Sequence, residues 1–362
     1  MNRRKYLVGL AGVGLSSISG CSSDNSSTPQ TPENQSENTP AIEWESIAAA
    51  NIGNGFHFPA PVLVDNQLVV VSGLDDAGTI EGYDPDSGER NWSYSTGVDM
   101  SSEQPLCVNN STIVYSSLDG LEAVSVSSGE SVWETDTSVR GDIISADGII
   151  YVPTYDGVLA LDFDGSELWN VQIESPVYNL AVDSNSVYFK AGTTIHSLNK
   201  QNGSSRWEMR STIEPSVAPV VKDNLLVFAL ENGEVRAINK NSQELEWSTE
   251  LTRNFNTPIS VGDTSVYAAS WSYPLHAINT NNGNSRWTFD PEYAPLSPAL
   301  EIDETVYLGS DTGVLFALSP SNGNTKWSYD TESAIWAPPT VDDNQLYLTT
   351  EAGDIINLKI PQ

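Results

Sequence analysis

The phrase AINTNNGNSRW at residues 277–287 returns forty residues later as ALSPSNGNTKW at 317–327. Earlier copies are GYDPDSGERNW (82–92), AVSVSSGESVW (123–133), SLNKQNGSSRW (197–207) and AINKNSQELEW (237–247), with ALDFDGSELW (160–169) one residue shorter. Each copy ends in tryptophan, and with Trp44 the series runs Trp44, Trp92, Trp133, Trp169, Trp207, Trp247, Trp287 and Trp327. Ahead of each phrase come an apolar-polar run, a turn rich in Asp and Asn, and a second run containing Tyr or Phe. Most units add a pair such as Asp119-Gly120, Asp156-Gly157 or Asn232-Gly233. Short apolar runs bounded by such turns read as strands, and the Asp-Gly and Asn-Gly pairs predict tight type I′ hairpins. Every unit is therefore expected to hold four antiparallel strands. One such sheet cannot bury both its faces, so sheets repeating at about forty residues stack around an axis as propeller blades.

Residues 41–362 accommodate eight units of that length, with seven as the alternative if the first is irregular. The last stretch, 337–360, has three strands, around Thr340-Val341, Leu346–Thr349 and Ile355–Lys359, and no closing tryptophan. Ile42-Glu43-Trp44-Glu45, conversely, reads as a fourth strand lacking its first three. Residues 41–46 are thus expected to complete the last blade and remove an exposed sheet edge. The predicted fold class is all-β: an eight-bladed β-propeller of four-stranded antiparallel blades, the last closed by the N-terminal strand.

The repeated phrase resembles the tryptophan-docking motif of pyrroloquinoline-quinone-type propeller repeats, Ala-x-Asp-x-x-Thr-Gly-x-x-x-Trp. The motif's Asp stands at Asp84 and Asp162, is Asn at Asn199, Asn239 and Asn279, and is Ser at Ser125 and Ser319. Its glycine stands at Gly88, Gly129, Gly203, Gly283 and Gly323. Glycine permits the tight turn, and the small Ala or Gly that opens the phrase leaves room for the indole. The tryptophan buries a large plate between blades while its N–H seeks a backbone acceptor. All eight tryptophans of the series are expected to be structural rather than a ligand cage.

The N-terminus carries an address. In MNRRKYLVGLAGVGLSSISG, residues 1–20, a basic start precedes an apolar run from Leu7 to Leu15. That run is too short for a membrane span of about 20 residues and has the length of a signal-peptide core. Arg3-Arg4 resembles a twin-arginine export signal, although Asn2 departs from its consensus. Ile18-Ser19-Gly20-Cys21 resembles a lipobox, with Cys21 as the lipidated residue. Residues 21–40 lack large apolar side chains and read as a solvated Ser/Thr/Pro/Asn tether. They hold two exposed sequons, at Asn25 and Asn34. The expected organisation is a twin-arginine-type lipoprotein leader (1–20), tether (21–40) and propeller (41–362), exported and lipid-anchored to the outer face of the cell membrane.

Charge narrows the partners. Forty-eight acidic against sixteen basic residues give a net charge of −32 and a pI near 4.1. A field of that sign repels nucleic acid and anionic head groups, so the membrane is reached through the lipid anchor only. The acid is spread over nearly every loop from Asp65 to Asp354 and resembles the surfaces of proteins from salt-loving archaea. In 1 M salt the Debye length is roughly 3 Å, which screens the self-repulsion. Recruitment of a basic partner is the alternative. With Cys21 assigned to lipid, Cys107 stands alone in an apolar strand, so no disulfide framework exists. Cys107 reads as a core residue.

The resemblance raises one enzymatic alternative, a quinone-dependent dehydrogenase holding the quinone and a calcium ion over the channel. Its members carry adjacent cysteines in a disulfide and catalytic carboxylates in long insertions, whereas these blades are close to minimal. No cofactor is expected; pyrroloquinoline quinone and calcium are disfavoured, and no catalytic residue or metal site is assigned. His57, His196 and His276 are scattered. His196 and His276 occupy equivalent repeat positions, where Arg236, Phe316 and Glu122 stand in other units, which suits ordinary strand positions rather than zinc ligands.

The resemblance extends to minimal BamB-like lipoprotein propellers, and implies a non-catalytic, monomeric scaffold that displays loops to other cell-envelope or secreted proteins or to a ligand. A passive spacer of the envelope is the third reading. The innermost strands begin near a recurrent proline (Pro59, Pro105, Pro219, Pro258, Pro298, Pro338). Residues just before it are expected to rim one mouth of the channel: His57, Phe58, Asp142, Tyr178, Asn179, Arg253, Phe255, Asn256, Tyr293 and Trp336. Trp271 and Tyr273 join them, because Trp271-Ser272-Tyr273-Pro274 replaces the usual Asp-Gly hairpin. Aromatics and Arg are the types enriched at binding hot spots. Arg140 and Arg253 are cations in a chain poor in them, set either to offset acidic neighbours or to grip an anion.

Overall fold

The computed structural model describes residues 39–48, 59–72, 78–96, 106–109, 111–116, 120–251, 259–269, 274–291 and 294–361. Among them the regular elements are all strands, arranged as eight four-stranded antiparallel sheets. Seven are sequential, spanning 62–95, 106–135, 144–172, 180–210, 220–250, 260–289 and 300–330, and are numbered here as blades one to seven. The eighth blade takes Thr340–Asp342, Gln345–Thr349 and Asp354–Lys359, and its outer strand is Ala41–Ile47. Ala41 lies opposite Lys359 and Ile47 opposite Asp354. The clasp expected at 41–46 is present and one residue longer, and the blade count is eight.

Burial follows from stacking. The second strand of each blade is covered by neighbouring blades on both faces, so Ile149–Thr154 and Thr305–Gly309 are buried almost without alternation. The outer strand faces solvent, and Glu167–Gln172 and Leu245–Glu250 alternate exposed and covered positions around one buried tryptophan. The short first strands of neighbouring blades pack side by side around the axis.

The tryptophan phrase works as its chemistry predicts. Six of the eight indoles donate to a carbonyl in the next blade: Trp44 to Pro85, Trp133 to Phe163, Trp169 to Lys200, Trp207 to Lys240, Trp247 to Thr280 and Trp287 to Pro320, at 2.7–3.1 Å. The Trp92 N–H is buried without a partner. Five of the plates, Trp44, Trp169, Trp207, Trp287 and Trp327, also meet a buried tyrosine of their own blade's second strand, as in Tyr151–Trp169 and Tyr267–Trp287, with ring centroids 5.9 and 5.8 Å apart. A Cβ on Gly283 would come within 2.8 Å of Trp247, and the backbone there has φ +72°. Glycine is thus required twice over, by close approach and by a left-handed conformation. Blade five puts Gln243 at the same turn, at φ 60°, a position that disfavours a side chain.

The hairpins differ from expectation. Left-handed pairs of the I′ kind occur where the first and second strands join, at Asp65-Asn66, Asp147-Gly148 and Asp303-Glu304. At Asn232-Gly233 only the glycine has positive φ; Gly233 N–H donates to Leu230 and Leu230 N–H to Glu234. That is a three-residue loop closed by a left-handed glycine. At Asp156-Gly157 the glycine already belongs to the strand, at φ 141°, and Tyr155-Asp156 forms the tip. Asn-Gly and Asp-Gly therefore mark the hairpins correctly but not their type. Asp119 lies outside the described residues.

Candidate functional site

Antiparallel strands put alternate turns at opposite ends of a blade, so the propeller has two chemically different faces. One, the turn face, carries the joints between first and second and between third and fourth strands. The other, the connection face, carries the hairpins between second and third strands and the links from blade to blade.

The turn face is devoted to holding backbone. Asp84 Oδ1 accepts the N–H groups of Asp86 and Ser87, and Asn199, Asn239 and Asn279 repeat the arrangement. Any Asx carbonyl oxygen can do this, which explains why the motif's Asp alternates with Asn. Where Ser125 and Ser319 replace it, the hydroxyl pairs with Ser127 and Ser321 instead. Ion pairs tie blades across the same face. Lys200 is almost fully buried and reaches Asp147 of blade three at 2.6 Å, while Lys240 reaches Asp183 of blade four at 2.5 Å. Burial alone would raise the Asp183 carboxyl. Lys240, the Asn185 and Ser186 N–H groups and the Tyr188 hydroxyl outweigh it and hold the group below its ordinary range.

A hollow of about 380 Å³ lies on this face where blade eight meets blade one. Glu43, Asp86, Asp342 and Asp343 line it with Lys359, but among the described residues no three His, Cys, Asp or Glu side chains gather as a metal-binding set. Cys107 sits in the core cluster with Val114 and Ile150, and burial pushes its thiol up to about 12.

His196 and His276 pair across the sheet with Phe189 and Ala268, at the register where Phe228 meets Arg236 and Leu308 meets Phe316. Burial lowers both imidazole pKa values, and His196 stacks on Phe189 with ring centroids 5.0 Å apart. They are strand residues, as their equivalence in the repeat implies.

The connection face holds a different cluster. Arg140, on the link from blade two to blade three, lies over two tyrosine rings, with Cζ 4.7 Å from the centroids of both Tyr155 and Tyr178. Its Nη1 donates to the Tyr155 hydroxyl at 3.1 Å and its Nη2 to the Tyr178 hydroxyl at 3.0 Å. The hydrogen bond to Tyr178 leads in holding the guanidinium charged. Among the described residues no carboxylate lies within ion-pair distance of Arg140. Tyr155 is 49% and Tyr178 43% exposed, among the few large side chains left open to solvent. The two links are locked together: a Cβ on Gly141 would meet the Tyr178 carbonyl at 1.5 Å, and the Asp142 N–H faces Asn179 Oδ1 at 3.5 Å.

Asp142, Tyr178 and Asn179 of the expected rim therefore come together, with Arg140 as their centre. Trp336 stands apart on the link between blades seven and eight, where its indole donates to Glu351 at 3.2 Å. Cys21, His57, Phe58, Arg253, Phe255, Asn256, Trp271, Tyr273 and Tyr293 lie outside the described residues. Tyr155 is the residue that sequence reasoning missed. Its signal was an aromatic placed directly before an Asp-Gly pair, at a hairpin tip on the face already assigned to the links.

The family model described as "Outer membrane protein assembly factor BamB" matches residues 119–329 and 276–360. The assembly factor BamB of Yersinia pestis is 24% identical over 210 residues, half of this chain and half of that protein. The chain spans about half or less of the curated relatives it matches. BamB from Moraxella catarrhalis superposes with a TM-score of 0.71 at 18% identity, over 89% of this chain and all of that one. Quinohemoprotein alcohol dehydrogenase from Comamonas testosteroni superposes with a TM-score of 0.70 at 12% identity, over 89% and 76%. At such identities the two structural likenesses establish a common fold and nothing finer.

Proposed function

The chain belongs to the family of PQQ-like propellers of the BamB type, and from that premise we propose that it is a non-catalytic binding scaffold of the cell envelope. It docks protein partners on its connection face. The observation that carries this reading is the Arg140 cluster: two open tyrosines and the arginine between them, on a face otherwise built from links that the repeat leaves free to vary. Tyrosine and arginine supply rigid contact area and directional donors together, the combination found at interface hot spots.

Residues 1–20 are read as an export leader and Cys21 as the lipid anchor, so that the tether at 21–40 holds the propeller off the outer face of the membrane. The acidic surface is read as adaptation to high salt. His57, Phe58, Arg253, Phe255, Asn256, Trp271, Tyr273 and Tyr293 extend the docking face on the same reading, and the expected lack of quinone, calcium and catalysis belongs to it. Assembly of outer-membrane proteins is the relatives' role and is not transferred.

The test is crosslinking at the surface of cells making the intact protein, with Tyr155 and Tyr178 changed together to Ala. Hot-spot losses of about 2 kcal/mol or more predict at least about a tenfold drop in crosslinked partner, with the melting transition nearly unchanged. Undiminished recovery with an intact fold would leave the passive-spacer reading in its place.

A further inference from the structure

The donors of the Arg140 cluster do not all end within the protein. A guanidinium carries five N–H bonds. Two are spent on the tyrosine hydroxyls, and the Nε–H is buried without a partner. Nη1 and Nη2 each keep a second N–H. Each phenol accepts from the arginine, so its own O–H hydrogen remains to be donated, and the cation's pull makes it a stronger donor. Four donors on three neighbouring side chains therefore await an acceptor. Among the described residues no carboxylate is ion-paired with Arg140, although this chain has forty-eight acidic residues. Elsewhere among the described residues Arg90, Arg236, Lys190, Lys200, Lys222, Lys240 and Lys359 are each held by one, while Arg206, Arg210 and Arg286, on outer strands, share with Arg140 the lack of an ion pair.

We propose that Arg140, Tyr155 and Tyr178 form a receptor for a carboxylate presented by a protein partner, either a C-terminus or an acidic side chain. This rests on the docking reading above and gives that face its chemistry. A planar carboxylate matches the fork of a guanidinium, and the rings flanking Arg140 keep the fork in place before the ligand arrives. An oxyanion bearing a double charge would meet twice the repulsion of a field set by a net charge of −32, which favours the singly charged group. A partner binding here would also have to carry few other acidic residues.

The experiment uses the intact protein labelled with 3-fluorotyrosine, its fluorine resonances assigned through Tyr155→Phe and Tyr178→Phe. At constant potassium chloride it is titrated with three neutral-bodied hexapeptides: one with a free C-terminal carboxylate, its C-terminally amidated twin, and an amidated twin with one internal glutamate. The two assigned resonances should shift saturably with the first or the third peptide and not with the amidated one. Which of those two binds distinguishes a terminus from a side chain. Arg140→Gln should weaken binding at least about tenfold, and Arg140→Lys should recover part of it. Should Arg140→Gln fail to fold, the Tyr155→Phe/Tyr178→Phe double variant, read by calorimetric titration, keeps the rings and removes the donors; it should also lose about tenfold. Equal response to the amidated peptide, no response to any, or unchanged binding by a folded Arg140→Gln protein overturns the proposal. If the peptides fail while partner crosslinking still depends on Tyr155 and Tyr178, the docking reading survives without the receptor; the reverse outcome leaves a carboxylate site that is not the docking surface.

Discussion

The two faces of the disc use the same kinds of residue to opposite ends. On the turn face, Asp84, Asn199 and Asn239 spend their oxygens on neighbouring N–H groups, and Lys200 and Lys240 are locked to Asp147 and Asp183. On the connection face Arg140 is held by two phenols whose own hydrogens meet no acceptor side chain among the described residues. Satisfaction within the chain marks a face that builds the fold, whereas surplus directional donors mark one that can bind. The repeated phrase supplies turn-face chemistry in seven of the eight blades, while the links lie between phrases and are free to differ.

Variants on the turn face should strike stability, and those on the connection face should spare it. The largest effect is expected from Trp247→Ala, which empties a buried plate and leaves the Thr280 carbonyl without its donor. A loss of about 3–5 kcal/mol should appear in the denaturant midpoint, with binding lost only as the fold is lost. Next, Asp183→Asn removes the anion that holds Lys240, at about 2 kcal/mol near neutral pH. Because the folded carboxyl is held below its ordinary range, its contribution is complete above the unfolded value and disappears as pH falls through the folded one. The gap between wild type and variant should therefore close in denaturation curves taken from pH 6 down to pH 2. A gap independent of pH would mean that Asp183 acts only through its hydrogen-bond geometry. Gln243→Gly should move the other way, relieving a left-handed side chain for a gain of about 0.5–1 kcal/mol. The smallest change in stability, under about 0.5 kcal/mol, belongs to the paired Tyr155 and Tyr178 variant, whose effect is reserved for binding.

The architecture was legible because the tryptophan phrase encodes a turn, a plate and an acceptor in eleven residues, and it recurs often enough to count. The clasp was legible for the same reason, since Trp44 lies in a strand whose other three are missing from its neighbourhood. Turn type was not, because Asn-Gly serves both a two-residue hairpin and a three-residue loop, and the choice depends on strand register. The rim was read in part. Asp142, Tyr178 and Asn179 precede an inner strand and could be placed by that rule, but Tyr155 sits on a hairpin tip that the rule does not reach. Arg140's partners lie fifteen and thirty-eight residues away, a separation that no local pattern joins.

The strand at Ala41–Ile47 precedes every other described strand yet pairs only with Asp354–Lys359. It cannot pair until that strand has been made, and ring closure is the strand pairing of greatest sequence separation among the described residues. During that interval both halves of the eighth blade offer bare backbone edges, open to a strand of any other copy nearby. Order of synthesis thus keeps the clasp from forming early and makes it a step at which one chain is easily mistaken for another.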